Sequence, residues 1–294
     1  MTPAPGETKP RIPDSCCFVI FGVTGDLAHR LVIPALYNLA EAKLLPEKFC
    51  VVGVTRTETQ SKTLTADLMA GLKKFATRPV DAQVAQQLFG CMTSIHADPS
   101  EPDSFAALAE HLWGAARGCA NAVYITVGTG IGGGAIIRGE PVHGFRHPEM
   151  GHVAVGRHPD DRDFPGVCPF HGDCMEGLAS GPAIRARWGC SLSELAADHP
   201  GRRIIADYLG QLAIMQMALL SCERIVFGGG VLETPGLLDM IRAEAKRRDN
   251  GYFGYRDLAE IIVPPALGER AGLMGGLALA QRALAAQADE QRGE

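Results

Sequence analysis

The feature of this sequence that most constrains its fold is a β-forming run followed at once by a glycine turn and a segment with helical spacing. Residues 17–21 form the apolar run, Gly22 and Gly25 mark the turn, and helical spacing continues over residues 26–42. A second apolar run, residues 50–54, follows about thirty residues further on, which is typical of a βαβ unit with parallel strands. The pattern therefore predicts an α/β fold.

A βαβ unit of this kind can hold a pyrophosphate, because the helix N-terminus offers free N–H groups and the positive end of a dipole. Arg56, at the end of the second predicted strand, suits the 2′-phosphate of NADP, whereas an acidic residue there would suit NAD. The alternative is structural, since a Gly-x-x-Gly turn also lets a helix pack closely on its strand.

The string FVIFGVTGDLAHRLVIPALYNLAEAKLLPEKFCVVGVTR, residues 18–56, resembles the opening of the glucose-6-phosphate dehydrogenase family, and a weaker likeness continues to about residue 112. This resemblance implies a Rossmann-like, NADP-binding segment over residues 16–112. It assigns Arg56 to the 2′-phosphate and the cofactor turn to Gly22, Thr24, Gly25, Asp26 and Leu27. The family's catalytic Asp-His-Tyr-Leu-Gly-Lys-type segment has no counterpart in the sequence, so NADP-dependent oxidation of glucose 6-phosphate is an alternative function that lacks its chemistry.

Composition narrows the range of partners. The chain has 294 residues, a net charge of −5 and a pI near 6.0, so it lacks the basic surface that nucleic acid binding requires, and small metabolites are the expected partners. No apolar run approaches the roughly 18 residues of a membrane span, and the N-terminus has no signal-peptide h-region. Nine cysteines, an odd number, do not form a disulfide framework, which favours a cytoplasmic location.

The second half of the sequence opens with a predicted hairpin. Residues 121–127 alternate as a strand, residues 128–134 form the glycine-dense turn GTGIGGG, and a returning strand begins at residue 135. Glycines let backbone N–H groups approach an anion, as in nucleotide phosphate sites, and the alternative is a hairpin tip without a ligand. The candidate nucleotide-binding residues here are Gly128, Thr129, Gly130, Gly132 and Gly133.

A set of metal-ligand residues follows the hairpin. Cys168, His171 and Cys174 stand at even three-residue spacing in one segment, and His152 upstream can supply a fourth ligand. Zinc prefers four Cys and His ligands in tetrahedral geometry, and a set closed by four protein ligands is structural rather than catalytic. A single cysteine would be interpreted as a small core residue, so the joint spacing is what indicates zinc.

Three segments, NAVYITVGTGIGGGAI, EMGH and CPFHGDCMEGLASGPAI, resemble the ROK (repressor, ORF, kinase) family, and in particular its bacterial fructokinase branch. The likeness covers about residues 108–282. It implies an actin-like (ribonuclease H-like) ATPase lobe over residues 113–284, structural zinc, and Mg-ATP-dependent phosphorylation of a hexose such as fructose at O6.

The ROK resemblance also assigns site residues. Glu149, His152 and Glu176 would hydrogen-bond sugar hydroxyls, and carboxylates suit vicinal hydroxyls because each oxygen can accept a separate bond. The triple glycine Gly228, Gly229 and Gly230 would border the adenine nucleotide, although a tight strand-to-helix turn explains it equally well.

Part of the ROK catalytic machinery has no counterpart in the sequence. The family's Asp-x-Gly-Gly-Thr phosphate loop is missing, and aligning residues 106–110 with its Ala-Ala-Leu-x-Glu helix puts Pro102 in the place of the catalytic Asp. Asp103 is one residue out of register and is the remaining candidate. We therefore expect impaired phosphorylation. A non-catalytic zinc- and sugar-binding fusion product is a third alternative.

Two end segments complete the predicted organisation. The Pro-rich residues 1–15 are predicted to be disordered, and residues 285–294 are predicted to form a charged tail. The expected small-molecule partners are a hexose, ATP and NADP, and a homodimer is among the assemblies that we consider.

Overall fold

The computed structural model describes residues 12–55, 61–96, 102–145, 147–254 and 257–292. Arg56 and most of the predicted disordered N-terminus lie outside this part of the chain. Two compact units are present, one formed by Met1–Ser100 with Leu279–Glu294 and the other by Glu101–Ala278.

The boundary between the units falls earlier than the sequence suggested. A division was expected after residue 112, but the helix Pro102–Trp113 belongs to the second unit. Its apolar residues, including the buried Phe105 and Leu108, explain the difference. The helix packs against the strands Asn121–Val127 and Ile131–Ile137 of the same unit.

The first unit contains a three-stranded sheet in the order β1 (Cys16–Phe21), β2 (Phe49–Thr55) and β3 (Met92–His96). All neighbouring strands are parallel, and β1 and β2 pair as the spacing predicts. Val51, Val52 and Val54 of the central strand are fully buried, which agrees with the continuous apolar runs of parallel strands.

Three α-helices accompany this sheet: α1 (Ile33–Glu41), α2 (Ser61–Phe75) and α3 (Ala82–Gly90). The predicted helix over residues 26–42 begins instead as a π-helical turn, Ala28–Val32. Pro34 explains the wider turn, because it has no N–H to donate and its ring crowds the carbonyl one turn earlier. Asp81 begins α3 by accepting hydrogen bonds from the N–H groups of Gln83 and Val84 at 2.7 and 3.1 Å.

The second unit is built around a five-stranded mixed sheet in the order β6-β5-β4-β7-β8. The strands β4 and β5 are antiparallel, β5 and β6 are antiparallel, and the pairs β4–β7 and β7–β8 are parallel. Their bounds are β4 (Asn121–Val127), β5 (Ile131–Ile137), β6 (Glu140–Pro141), β7 (Arg224–Gly228) and β8 (Ile262–Val263).

Strand β5 starts four residues earlier than predicted, so Gly132, Gly133 and Gly134 lie in a strand and the turn is limited to residues 128–130. Close packing accounts for these glycines. A Cβ atom at Gly132 would collide with the Asp103 carboxylate, and one at Gly134 would lie 2.5 Å from the Asp103 carbonyl oxygen. Glycine is needed here because a helix backbone passes directly over the strand.

From Pro102 onwards, the described residues form seven α-helices: α4 (Pro102–Trp113), α5 (Met175–Ala179), α6 (Gly181–Trp188), α7 (Pro200–Leu220), α8 (Leu237–Asp249), α9 (Leu258–Ile261) and α10 (Ala271–Arg292). The core of the second unit joins buried residues of β4 and β7 to α5, α7 and α8. Helix α8 begins at Leu237, directly after Gly236, which adopts a left-handed φ of +78°.

The predicted tail is helical as far as Arg292, since α10 continues through it. Its alanine, glutamine and arginine residues are good helix formers, which the prediction of a tail overlooked. Among the helices of the described ranges, none combines the length and the apolar character needed to cross a membrane.

Candidate functional site

Four side chains predicted as metal ligands converge in the second unit. The ligand atoms of His152, Cys168, His171 and Cys174 all lie within 4.8 Å of one another. The His152 Nδ1 atom is 3.7 Å from the Cys168 sulfur and 3.6 Å from the Cys174 sulfur, and His171 Nδ1 is 3.7 Å from Cys168. A tetrahedral zinc ion would separate its sulfur and nitrogen ligands by about 3.6 Å, so the residues present fit this ion.

A tight turn places the two cysteines. The backbone of Cys168 exchanges hydrogen bonds with Gly172 at 3.1 and 2.9 Å, and Gly172 has the left-handed φ of +65° that closes the turn. Cys174 is the N-cap of α5, so the start of that helix fixes its position. Gly177 allows α5 to pass close by, since a Cβ there would lie 3.0 Å from the Cys168 Cβ.

The two thiols have different pKa values. Burial acts to raise the pKa of Cys168, but hydrogen bonds from the backbone N–H groups of His171 and Phe170 outweigh it and lower the pKa below the ordinary value. Burial, together with the neighbouring Cys168, raises the pKa of Cys174. The pair therefore accepts one negative charge readily, and a cation is needed to stabilise the second.

A buried ion pair anchors the segment that carries these ligands. The Arg187 side chain of α6 contacts both oxygens of Asp161 at 2.8 and 2.7 Å, and the Tyr208 hydroxyl of α7 donates to Asp161 at 2.7 Å. Burial, followed by this hydrogen bond, raises the pKa of Tyr208 to about 12. Arg157 adds hydrogen bonds to the carbonyl groups of Asp161 and Phe164, so the segment before Cys168 is held at several points.

Glu176 connects the metal ligands to the glycine turn. It lies in the first turn of α5, where the helix dipole stabilises a carboxylate. One of its oxygens accepts a hydrogen bond from the Ile131 N–H at 2.9 Å, and the other is 3.9 Å from Nε2 of His152. A Cβ at Gly130 would lie 2.6 Å from the Glu176 carboxylate, so glycine is required at that point of the turn.

Two further carboxylates, Glu149 and Asp103, lie near His147. Glu149 precedes the 3-10 turn Met150–His152 and contacts His147 at 3.2 Å. Asp103, in the first turn of α4, has a pKa raised to about 6 by burial, and the nearby His147 partly opposes this shift. A carboxylate with this pKa can take up a proton close to neutral pH.

A cleft of about 390 Å³ brings together residues from both predicted glycine segments. Gly128 and Thr129 line one part of it and Gly230 lines another, and Gly181 donates its N–H to the Gly128 carbonyl at 2.7 Å. Arg185 of α6 is the charged residue among those that line the cleft. Sequence reasoning missed Arg185, although its place one turn into the helix after Ser180 was a signal that could have indicated it.

The other predicted glycines lie elsewhere. Gly228 and Gly229 line a neighbouring cleft of about 690 Å³, shared with Gly230. Gly229 adopts a φ of +90°, and a Cβ atom at this position would lie 2.5 Å from the Val127 carbonyl oxygen. Gly132 and Gly133 line neither cleft, because they pack against Asp103 and Met150.

The predicted cofactor residues of the first unit form one turn after β1. Gly22 has a φ of +69°, and the Gly25 N–H donates to the Gly22 carbonyl at 2.8 Å. Thr24, Asp26 and Leu27 are exposed on this turn. The turn follows the carboxyl end of a parallel strand, where ligands bind in open α/β sheets, and its cofactor role stays a prediction.

Comparison with known proteins identifies relatives of the larger part of the chain. The family model of the ROK family matches residues 46–283. The fructokinase of Zymomonas mobilis is 51% identical over 197 residues, which cover 66% of this chain and 64% of that protein. This chain thus spans less than two thirds of the length of that curated relative.

About a third of the chain resembles a different protein. Glucose-6-phosphate 1-dehydrogenase 2 of Mycobacterium tuberculosis is 36% identical over 103 residues, which cover 35% of this chain and 20% of that protein.

Among solved structures, the ROK hexokinase from Thermus thermophilus superposes with a TM-score of 0.55 at 24% identity, and the match covers 87% of this chain and 86% of that one. This likeness shows the fold, which is the mixed α/β architecture of ROK sugar kinases.

Proposed function

This chain belongs to the ROK family, and from that premise we propose that it is a fructokinase-like kinase that transfers the γ-phosphoryl group of ATP to O6 of a hexose, with fructose as the first candidate. The observation that carries the proposal is the arrangement around Glu176. This one carboxylate contacts the glycine turn at Ile131 and approaches His152 of the metal group. Side chains that can bind sugar hydroxyls and a glycine-lined cleft therefore lie close together within the second unit.

We propose that Glu149, His152 and Glu176 hold the hydroxyls of the sugar. Each carboxylate can accept hydrogen bonds from two hydroxyl groups, and a histidine N–H can donate to a hydroxyl oxygen. The Nδ1 atom of His152 faces the two sulfurs, so its Nε2 atom is the one that faces Glu176 and the sugar.

Zinc would be held by His152, Cys168, His171 and Cys174, and with four protein ligands it would supply structural rigidity instead of an activated water. By holding Nδ1 of His152, the closed ligand set orients the imidazole ring and selects the tautomer that carries its proton on Nε2. The same set keeps the start of α5, and with it Glu176, at a constant distance from the glycine turn.

Asp103 is the proposed acceptor of the hydroxyl proton. Its burial raises its pKa to about 6, so the carboxylate is mostly ionised at pH 7 and still basic enough to accept a proton. Its neighbour His147 contacts Glu149, which belongs to the proposed sugar site. Asp103 stands one residue from the family's catalytic position, and we propose that this displacement slows the reaction.

The nucleotide would lie in the cleft of Gly128, Thr129 and Gly230, with Arg185 near the phosphates and Mg bound to ATP. Phosphoryl transfer depends on positioning the phosphates and stabilising their charge. Since residues 1–112 contain no Asp-x-Gly-Gly-Thr loop, we propose that turnover is far below the enzyme median of about 10 per second.

A coupled assay with ATP, Mg and fructose tests the proposal, together with calorimetric titration of fructose. We expect measurable fructose binding and slow phosphorylation, with binding weakened by Glu176→Gln and unchanged by Glu260→Gln, an exposed carboxylate on α9. Absence of both binding and turnover would refute the kinase assignment. Binding without turnover would favour the zinc- and sugar-binding alternative.

A second candidate function is NADP binding by the first unit. The match to glucose-6-phosphate 1-dehydrogenase 2 and the exposed turn at Gly22 and Gly25 favour it. Titration with NADP, monitored by protein fluorescence, tests this binding. Gly25→Val is expected to lose NADP binding, because the valine side chain would crowd the turn. Steady NADPH formation from glucose 6-phosphate would show that a catalytic segment had been overlooked.

A further inference from the structure

A row of three thiols crosses the sheet of the first unit. Cys17 on β1 and Cys50 on β2 are direct partners in the parallel register. The pairing of Val51 with Met92 places Cys91, the residue before β3, beside Cys50 on its other side. All three cysteines are free and partly exposed, so small reagents can reach them.

The two flanking thiols differ in their contacts. Cys17 and Cys50 are paired residues of neighbouring strands, so their side chains stand on the same face of the sheet. The Cys91 sulfur instead donates to the Leu88 carbonyl at 3.0 Å, at the end of α3. Cys17 is therefore the neighbour whose thiol is available to Cys50, because the Cys91 thiol is hydrogen-bonded elsewhere.

The Cys17 thiol keeps its proton at neutral pH. Burial raises the pKa of Cys17 to about 12, and the neighbouring Cys50 adds to this shift. A thiol that keeps its proton can donate to a neighbouring thiolate, as in dithiol redox pairs. Cys50 is the central thiol of the row, so it is the sulfur from which a bridge to a neighbouring strand can form.

We propose that Cys17 and Cys50 form a reversible redox site that reacts with low-molecular-weight disulfides. The Cys50 thiolate attacks one sulfur of the disulfide, which forms a mixed disulfide and releases one thiolate. Cys17 then gives up its proton to that thiolate and attacks the Cys50 sulfur, which forms the Cys17–Cys50 bond and releases the second thiolate. This thiolate takes up the proton that Cys50 gave to the solvent when it ionised. The protein loses two hydrogens, and the external disulfide gains them.

Strand geometry permits this bond and also makes it labile. Neighbouring strands lie about 4.8 Å apart, which is within the range of about 4.4–6.8 Å found between the Cα atoms of disulfides. Closing the bond requires the Cβ atoms to approach to about 3.8 Å, so β1 and β2 must draw together locally. A strained and accessible bridge is readily reduced, which suits a switch rather than a permanent crosslink.

Peptide mapping of the full-length protein tests the proposal. The reduced protein is treated with oxidised glutathione, free thiols are blocked with iodoacetamide, and the digest is examined by mass spectrometry without reduction. We expect a crosslink between the peptides that carry Cys17 and Cys50, with the mass of two hydrogens lost, and its full release by dithiothreitol.

Serine variants assign the bridge. The crosslink should be lost in Cys17→Ser and in Cys50→Ser and retained in Cys16→Ser, which is the matched control because Cys16 is adjacent and exposed but points to the opposite face of β1. Circular dichroism confirms that each variant is folded.

Three results would overturn the proposal. They are full alkylation of Cys50 in the parent after oxidation, a Cys50–Cys91 crosslink as the main product, and a crosslink that persists in Cys17→Ser. If a serine variant does not fold, the position of the crosslink in the parent and in Cys16→Ser still decides the matter.

Discussion

Asp161→Ala is expected to lower the free energy of unfolding of the second unit by about 3–5 kcal/mol. The Asp161 carboxylate and the Arg187 guanidinium form two hydrogen bonds, at 2.8 and 2.7 Å, and each side chain is only 5% exposed. Removing the carboxylate leaves a buried cation without its partner, and this penalty exceeds the net value of the ion pair itself.

The Tyr208 hydroxyl also loses its acceptor, and an unsatisfied buried hydroxyl costs about 1–3 kcal/mol. The two penalties are not summed, because both donors share one carboxylate and the effects of neighbours are not additive. Arg187 keeps a hydrogen bond to the Ala183 carbonyl at 3.1 Å and its contact with the Phe164 ring at 3.7 Å. We therefore place the expected loss near the lower end, at about 3 kcal/mol.

Urea unfolding followed by tryptophan fluorescence measures this loss, because Trp188 lies beside Arg187 with a ring-to-guanidinium distance of 5.4 Å. Asp160→Ala is the matched control: its side chain is 78% exposed, so a change within about 0.5 kcal/mol is expected. The double variant Asp161→Leu with Arg187→Met should lose less than Asp161→Ala, since it leaves no buried charge.

A loss below about 1 kcal/mol for Asp161→Ala would refute this reasoning, because it would mean that Arg187 finds water or another partner at little cost. The same would follow if Asp160→Ala and Asp161→Ala shifted the urea midpoint equally.

Three further predictions concern the site. Asp103→Asn should reduce phosphorylation, and the activity of the parent should rise with pH through about 6 as Asp103 ionises. Because the folded-state pKa of Asp103 is raised above its ordinary value, its contribution to stability falls as the pH rises from about 4 to about 6. The asparagine variant should therefore be the more stable protein at pH 7, as urea unfolding can show. If Asp103→Asn left the pH dependence of phosphorylation unchanged, the role of Asp103 would be contradicted. Metal analysis should find one zinc per chain in the parent, loss of zinc in Cys174→Ser and retention in Cys190→Ser, whose cysteine lies outside the ligand set; equal zinc in all three would exclude this site. Gly134→Ala should destabilise the second unit by about 1–3 kcal/mol, because its Cβ would lie 2.6 Å from the Ser104 Cα, whereas Gly144→Ala meets no atom within 4 Å and should be neutral, as thermal unfolding can show.

Local patterns account for much of what could be predicted. The run at residues 17–21, the glycines after it and the run at residues 50–54 indicated parallel strands, and β1 and β2 pair in that way. The spacing of Cys168, His171 and Cys174 indicated one ligand cluster, and their side chains do converge. Each of these segments is short, so its local conformation depends mainly on residues close to it in the sequence.

Long-range packing decided what local patterns could not. The glycines of residues 132–134 looked like a loop, but the passage of α4 over β5 requires them in a strand. Burial raises the pKa of Asp103, and His147, which opposes this shift, lies 44 positions away in the chain, so no spacing rule expresses this environment.

The sequence by itself determined the α/β character, the two family resemblances and the candidate metal ligands Cys168, His171 and Cys174, because each depends on local patterns. Only the tertiary structure decided that α4 belongs to the second unit, that Glu176 connects the metal ligands to the glycine turn, and that Cys17 faces Cys50. These features depend on which distant segments pack together, and that choice follows from the burial of whole helix and strand faces.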